Sequence, residues 1–536
     1  MLDTDRPSAR WRACVWALAG YVAAWALMTY PQVLSWRQVG DLGDPLGKIW
    51  QLAWVAHALI RNPAHLFDGN IFYPERLTLA YSDTMLVPSF LGAPFIWMGA
   101  PPALVFNVLL ASGFVASGIT MFVLVRRLTG SGGAAWVAGL AFAFLPYRFN
   151  HYSHLELQLT MWMPLALWAL HRTVDHGRWR DGLLTGGCIG LQFLSSLYYG
   201  VFFVVMLLPI GLALVLTSRQ PLKRVGVLAA GAVLAMAMVL PVVLTHASAR
   251  TQVGQRERSE VLHYSAWMSD YVRPNVGNRT YPSLAEWDGE GERRLFPGFV
   301  LMGLAVAGLW PLRSRARIAY VLGTAVAIDA SRGLHGTVYT ILWDYLAPFG
   351  GFRVPARFGM LAGLGLAVLA GWGVWRVCRL AGGPRLRLAL TAVISLAILA
   401  ESRSFPLPLG SIGRWTPEVY RWLATQPDVT VLELPVEDRA DFGYMYFSTL
   451  HMRPIVNGQS GFFPPWYRDL VRFAGTFPTD EGLSFLRDRG VTHVVVHRRL
   501  FGRDQYDELT GRLAQRQDLR LVKSFPLESA VYRIVR

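Results

Sequence analysis

Two carboxylates three residues apart, Asp41 and Asp44, stand in the stretch "QVGDLGDPLGKIWQLAW". They follow a long apolar run in a chain with only 35 acidic residues among 536. A carboxylate there can take a proton from a hydroxyl as general base, hold a cation or close the start of a helix. A second polar group lies in "PYRFNHYSHLELQ", which carries Arg148, His151, His154 and Glu156. Its imidazoles and carboxylate suit either a divalent cation or hydrogen bonding to a hydroxyl-rich substrate. A third is Arg353 and Arg357 in "FRVPARF". Their i,i+4 spacing can present two guanidinium groups on one face, although Pro355 lies between them, and such forks match phosphate oxygens. Tyr81 and Asp83 complete the candidate set.

Plainer roles stand beside these. Asp44 precedes Pro45 and an amphipathic pattern, which reads as an N-cap with proline at the first helical position. A capping aspartate at an exposed helix start can still face a substrate. The arginines can equally extend toward lipid headgroups.

The elements that must position these residues are mostly membrane-embedded. The chain is 53% hydrophobic and 16% charged, with 20 Trp, and repeated apolar runs near 20 residues predict a polytopic membrane protein. A net charge of +16 invites a nucleic-acid reading. Much of the arginine sits in short loops between apolar runs, as the positive-inside rule expects, so no nucleic-acid partner is expected. Cys14, Cys188 and Cys378 are far apart and show neither a disulfide framework nor a zinc spacing. Arg6, Arg10 and Arg12 precede an apolar run to Tyr30 with no small-x-small site after it, which predicts an uncleaved first span.

The first span covers roughly 13–30, and an outer loop covers 31–101. Within that loop 45–60 reads as an amphipathic helix, with Trp50 and Trp54 suited to a membrane interface. The apolar piece 84–98 is short and carries two prolines, which suggests an interfacial or re-entrant segment. Spans follow near 102–125, 131–147, 158–171, 182–197, 199–218, 225–244, 297–312, 316–331, 357–375 and 386–402. With 84–98 kept out of the count, every basic turn falls on the side of the N-terminus. That side is then cytoplasmic, the spans number about eleven, and the C-terminus lies outside. The tail, 403–536, alternates strands ("DVTVLELP", "THVVVHR", "AVYRIV") with helices ("DEGLSFLRDRG", "RDQYDELTGRLAQRQ"), which predicts a small α/β domain.

Span interiors hold few ionisable groups, and Asp329 and Glu401 lie near outer ends. A transporter more often places carboxylates in mid-membrane. The pattern favours a one-sided active site over a translocation path.

The arrangement resembles the GT-C superfamily of polytopic membrane glycosyltransferases that use polyprenyl-phosphate-linked sugars. One span, a large outer loop with an acid at the start of a juxtamembrane helix, a second juxtamembrane segment and a C-terminal outer domain carry the likeness. "GDPLGKIWQLAW", "HLFDGNIFYPE", "GLAFAFLPYRFNHYSHL", "FRVPARFGMLAG" and "RPIVNGQSGFFPP" are similar to wording in a bacterial GT-C-like branch. The resemblance implies a mainly α fold, with a transmembrane module over 1–402 and an extracytoplasmic α/β domain over 403–536. It implies hexosyl or pentosyl transfer from a polyprenyl-phosphate-linked donor to a glycan, lipid or protein acceptor, with inversion. The protein would reside in a bacterial inner or plasma membrane, amid membrane lipids.

By that resemblance Asp44 is the catalytic acid residue of the first outer loop and Asp41 its companion, although no adjacent acidic pair is present. Arg148, Arg353 and Arg357 would bind phosphate. His151, His154, Glu156, Tyr81 and Asp83 would bind substrate. "HYSHLE" stands where some relatives carry an acidic metal motif, so no cofactor is certain and a divalent cation stays open. The alternatives are a transporter or lipid-linked-sugar flippase, and a non-catalytic subunit of an envelope assembly.

Overall fold

A computed structural model describes residues 7–286, 291–412 and 417–535. The chain divides into two compact units. One comprises Met1–Trp36, Val108–Pro241 and Gln255–Pro408; the other comprises Arg37–Asn107, Val242–Gly254 and Leu409–Arg536.

The first unit is helical. At its centre lies the helix Phe358–Leu380, with most of its residues buried. A helix apolar all round must be covered all round. It packs against Phe299–Leu309, Arg315–Ser331 and Gly132–Ala143. Small residues allow the approach: a Cβ added to Gly308 would sit 2.0 Å from the Leu369 carbonyl oxygen, and one on Gly373 2.0 Å from that of Leu304. The same device joins the helix Trp179–Ser195 to residues 227–238. Cβ atoms on Gly182 and Gly186 would fall 2.4 Å and 1.8 Å from the carbonyl oxygens of Val227 and Gly231. Gly186→Val should therefore force this contact apart. We expect a loss of about 1–3 kcal/mol or more from overpacking, read as a lower thermal-unfolding midpoint in detergent.

Among the described residues five helices are long and apolar enough to cross a membrane: Trp11–Met28, Pro102–Thr129, Leu197–Leu216, Pro221–Val253 and Pro355–Leu380. Leu86–Trp97 is apolar but has only 12 residues, about 18 Å of rise. Glu401 and Asp329 serve as caps. Glu401 accepts the N–H groups of Phe299 and Val300 (3.1 and 2.8 Å). Asp329 accepts those of Thr337 and Val338 (2.9 and 2.7 Å). Each satisfies donors that a helix start leaves open.

The second unit joins the outer loop to the tail. Strand β1 (Gln38–Val39) pairs antiparallel with β2 (Gly410–Ser411). Four further strands, β3 (Val431–Leu434), β4 (His493–His497), β5 (Leu519–Phe525) and β6 (Ser529–Ile534), form a sheet in the order β3-β4-β6-β5. Here β3 and β4 run parallel and the other pairs antiparallel. Trp50, Phe72 and Tyr81 of the loop share one apolar core with Val431, Leu432 and Val494–Val496 of the tail.

Backbone pairing reinforces that core. The N–H groups of Phe72 and Tyr73 donate to the carbonyls of Asn457 and Ile455, and that of Ile455 donates to Asn70 (3.2, 3.1 and 2.8 Å). The Asn70 side chain accepts from Trp50 Nε1 (2.8 Å) and donates to Ser448 Oγ and the Arg453 carbonyl (3.1 and 2.9 Å). Two of the segments that carried the family resemblance, "HLFDGNIFYPE" and "RPIVNGQSGFFPP", thus hold each other.

Trp50, expected at a membrane interface, is 2% exposed and belongs to this core. The Trp54 indole N–H donates to the Leu66 carbonyl (3.0 Å).

Candidate active site

In the second unit the amphipathic segment forms the helix Asp44–Arg61. Its N-cap is Gly43, not Asp44. Asp44 is the first helical residue and Pro45 the second. The reason is one residue upstream: Asp41 Oδ1 accepts the Gly43 N–H at 2.7 Å. That local turn fixes Gly43 at the helix entrance and leaves Asp44 inside the first turn. The Asp44 residue is exposed, while the six residues that follow it are buried. The Phe442 ring packs on Gly47, where a Cβ would come within 2.9 Å. Lys48, one turn beyond Asp44 and on the same helical face, is buried.

The other two candidates of this unit differ. Tyr81 is 1% exposed and donates its hydroxyl to Gln252 Oε1 at 3.0 Å. It is a core residue. Asp83 is half-buried, and its carbonyl accepts from Gln51 Nε2 at 3.0 Å.

In the first unit, "PYRFNHYSHLELQ" folds as two short helices, Pro146–Asn150 and Leu155–Gln158. Arg148, expected to bind phosphate, is 1% exposed. Its Nε and Nη2 donate to the Gln158 side-chain and backbone oxygens (3.0 and 2.6 Å), and its guanidinium lies 4.3 Å over the Phe114 ring. Gln158 Nε2 returns bonds to the carbonyls of Arg148 and His151 (3.1 and 2.6 Å). Arg148 is therefore an internal brace for the two turns.

His151 faces a different group. Its Nε2 lies 3.5 Å from Glu292 Oε2, and its ring meets those of Tyr147 and His154 at 4.4 and 5.6 Å. Burial pushes the His151 pKa down to about 4 against the pull of Glu292, so the imidazole is neutral and the contact is polar, not ionic. His154 and Glu156 lie near enough to act on the same ring electrostatically. Burial would raise the Glu292 pKa, but Arg357 and then His151 outweigh it and hold the carboxyl at about 2. Arg357 grips Glu292 through Nε (3.1 Å) and Nη2, the bidentate geometry that guanidinium favours.

Arg353 and Arg357 do not share a helical face. Only Pro355–Arg357 is helical, as one 3-10 turn. They reach different acids and meet at Tyr198. The Arg357 guanidinium lies 4.5 Å over the Tyr198 ring, and the Arg353 backbone N–H donates to the Tyr198 hydroxyl at 3.1 Å. Arg353 Nη1 shares Glu260 Oε1 with Arg256 Nη1, each at 3.2 Å. Arg256, Arg353 and Arg357 are thus set against Glu260 and Glu292, an excess of one positive charge. The Arg353 side chain is 38% exposed, against 12% and 10% for the other two.

The structure therefore gathers His151, His154 and Arg357 around Glu292, with Glu156 acting on His151, and sets Arg353 beside them through Tyr198. It places Arg148 and Tyr81 in structural roles. Glu260, Glu292 and Arg256 were not singled out by their sequence, since they lie in the irregular 245–296 segment. Tyr198 links the two arginines. Among the described residues no three His, Cys, Asp or Glu side chains converge as a metal-ligand set.

A family profile described as dolichyl-phosphate-mannose-protein mannosyltransferase matches residues 102–244. That stretch holds Arg148, His151, His154, Glu156 and Tyr198. No curated protein matches the sequence. Among solved structures, the arabinofuranosyltransferase AftD from Mycobacteria aligns over 100% of this chain and 40% of its own, with a TM-score of 0.66 and 16% identity. ArnT from Cupriavidus metallidurans, in its apo state, aligns over 98% of both chains with a TM-score of 0.50 and 13% identity. The chain thus spans about 40% of the length of AftD and nearly all of ArnT.

Proposed function

We propose that this chain, which has the fold of the GT-C membrane glycosyltransferases, moves a sugar from a polyprenyl-phosphate-linked donor to an acceptor hydroxyl on the extracytoplasmic face of the membrane. The observation that carries the proposal is Asp44: an exposed acidic residue on the first turn of a largely buried helix, outside every candidate span among the described residues.

In this reading the acceptor hydroxyl gives its proton to the Asp44 carboxylate as its oxygen bonds to the anomeric carbon. The bond from that carbon to the phosphate oxygen breaks, and the polyprenyl phosphate leaves with the electron pair. A single displacement inverts the anomeric centre. Asp41 positions Gly43 and with it the helix entrance. Guanidinium groups stabilise the charge gathering on the departing phosphate. We assign that task to Arg353, because it is the most exposed of Arg256, Arg353 and Arg357 and its carboxylate is shared. His154, half-buried, can offer a hydrogen bond to substrate, while His151 and Glu156 are buried, each 3% exposed.

Lipid co-purified with the protein tests the donor. Mass spectrometry is expected to find a polyprenyl-phosphate sugar, whose monomer names the donor. Arg353→Ala should retain at least fivefold less of it than wild type. Equal amounts in both proteins, or phospholipid alone in wild type, would remove Arg353 from phosphate binding.

A further inference from the structure

At the far end of the Asp44–Arg61 helix lies an open cavity of about 310 Å³, lined by Trp54, His57, Arg61, Asn62, His65 and Asp68. No part of the reaction described above uses it. Its size is at the lower end for ligand pockets, roughly 300–1,000 Å³, enough for one or two sugar rings.

The chemistry of the lining is specific. Trp54 is fixed by its indole bond to Leu66 and lies 5.8 Å from the His57 ring. It offers a rigid aromatic face of the kind on which the C–H side of a sugar packs. Asp68 is also fixed: Oδ2 meets His65 Nδ1 at 2.8 Å and Oδ1 accepts the Leu77 N–H at 2.9 Å. A carboxylate so held keeps further lone pairs for a hydroxyl donor. Arg61 and Asn62 are exposed and make no side-chain hydrogen bond among the described residues. They add planar donors, and Asn62 an acceptor. Burial, with the nearby Arg61 charge, lowers the His57 pKa, so a neutral ring presents one donor and one acceptor. Donors and acceptors lining one cavity with an aromatic ring suit vicinal hydroxyls. An anion would meet Asp68 at close range, and a metal ion finds only one carboxylate.

We propose that this cavity is a saccharide subsite, holding a unit of the acceptor glycan remote from the bond being made. The helix separates it from Asp44 by roughly 15–25 Å of rise, so the acceptor class it fits is an oligosaccharide, not a single sugar. This assignment of the occupant as acceptor rests on the glycosyltransferase reading; the saccharide affinity does not.

The test uses the full chain in nanodiscs and saturation-transfer NMR with methyl glycosides of hexoses and pentoses and their short linear oligosaccharides. At least one saccharide should show transfer from wild type, reduced at least fivefold in Arg61→Ala and in Asn62→Ala, with unchanged thermal unfolding. Inorganic phosphate should not displace it. Binding that survives both substitutions, displacement by phosphate, or no saccharide bound overturns the subsite. Asp44→Asn should bind saccharide as wild type does. Saccharide binding without sugar transfer in any donor assay would refute the transferase reading and leave the subsite standing. In transfer assays the two cavity variants should raise the oligosaccharide KM at least fivefold and leave kcat alone. An unchanged KM would remove the acceptor assignment.

Discussion

Asp44→Asn is expected to slow sugar transfer by about 10²–10⁴-fold, the range that loss of a general base produces, in a protein that folds normally. The carboxamide has the size of the carboxylate and cannot accept the acceptor's proton. Structural cost should be small. Asp44 is exposed, the helix is capped by Gly43, and the Asp41–Gly43 bond does not involve it. Weaker interaction with the helix dipole accounts for about 0.3–1 kcal/mol.

Asp41 supplies the control. Asp41→Asn keeps an oxygen for the Gly43 N–H and should retain much of the activity. Asp41→Ala releases the helix entrance and should lose more. Initial rates with an identified donor, read beside thermal unfolding, separate the roles. Near wild-type turnover in Asp44→Asn would end its assignment as base.

The largest effect on stability should come from Glu292→Ala, at about 3–5 kcal/mol. Removing one partner of a buried pair leaves the other charge uncompensated. Here that charge is Arg357, whose side chain is only 10% exposed. Replacing both residues, as Glu292→Leu with Arg357→Met, should restore most of the loss, because the desolvation of two charges disappears with them.

Acid should act on the same cluster. The His151 pKa is about 4 in the folded protein against 6.5 for the free group. The unfolded chain therefore takes up a proton first, and stability falls as pH drops from about 6.5 to 4. Glu292, held at about 2 against 4.5, extends the loss from about 4.5 downward. Unfolding midpoints measured from pH 8 to pH 4 should decline below pH 6.5, less so in His151→Phe. A flat profile would place the neutral imidazole elsewhere.

The sequence announces its apolar helices well, because a run of 20 apolar residues has few alternatives. The strands β3, β4 and β6 are legible for a related reason: "TVLEL", "HVVVH" and "AVYRI" are dominated by β-branched and aromatic residues. β5 was not legible, since only its two ends, Leu519 and Phe525, are buried and no alternation marks it. Trp50 shows a limit of composition: an aromatic side chain suits a membrane interface and a protein core equally.

In the candidate site, Asp44 was legible as the acid at a helix start, but not its exact position. The cap moved to Gly43 because the Asp41 side chain took the backbone N–H that defines the turn. Glu292 was invisible for a topological reason. It meets Arg357 across 65 residues, and no local pattern reports a contact of that separation. The i,i+4 spacing of Arg353 and Arg357 suggested a shared face, which the Pro355 turn removes.

The common core of outer loop and tail sets an order of events during synthesis. Asn70 and Phe72 find their partners near Ser448 and Asn457, almost four hundred residues later. The loop that carries Asp44 cannot complete its packing when it leaves the ribosome. It must wait, with Trp50 and Phe72 uncovered, until residues 448–457 have been made. A chain that stops before residue 448 would leave the apolar side of this loop unpaired. The tail thereby acts as a proofreading element for the loop that carries Asp44.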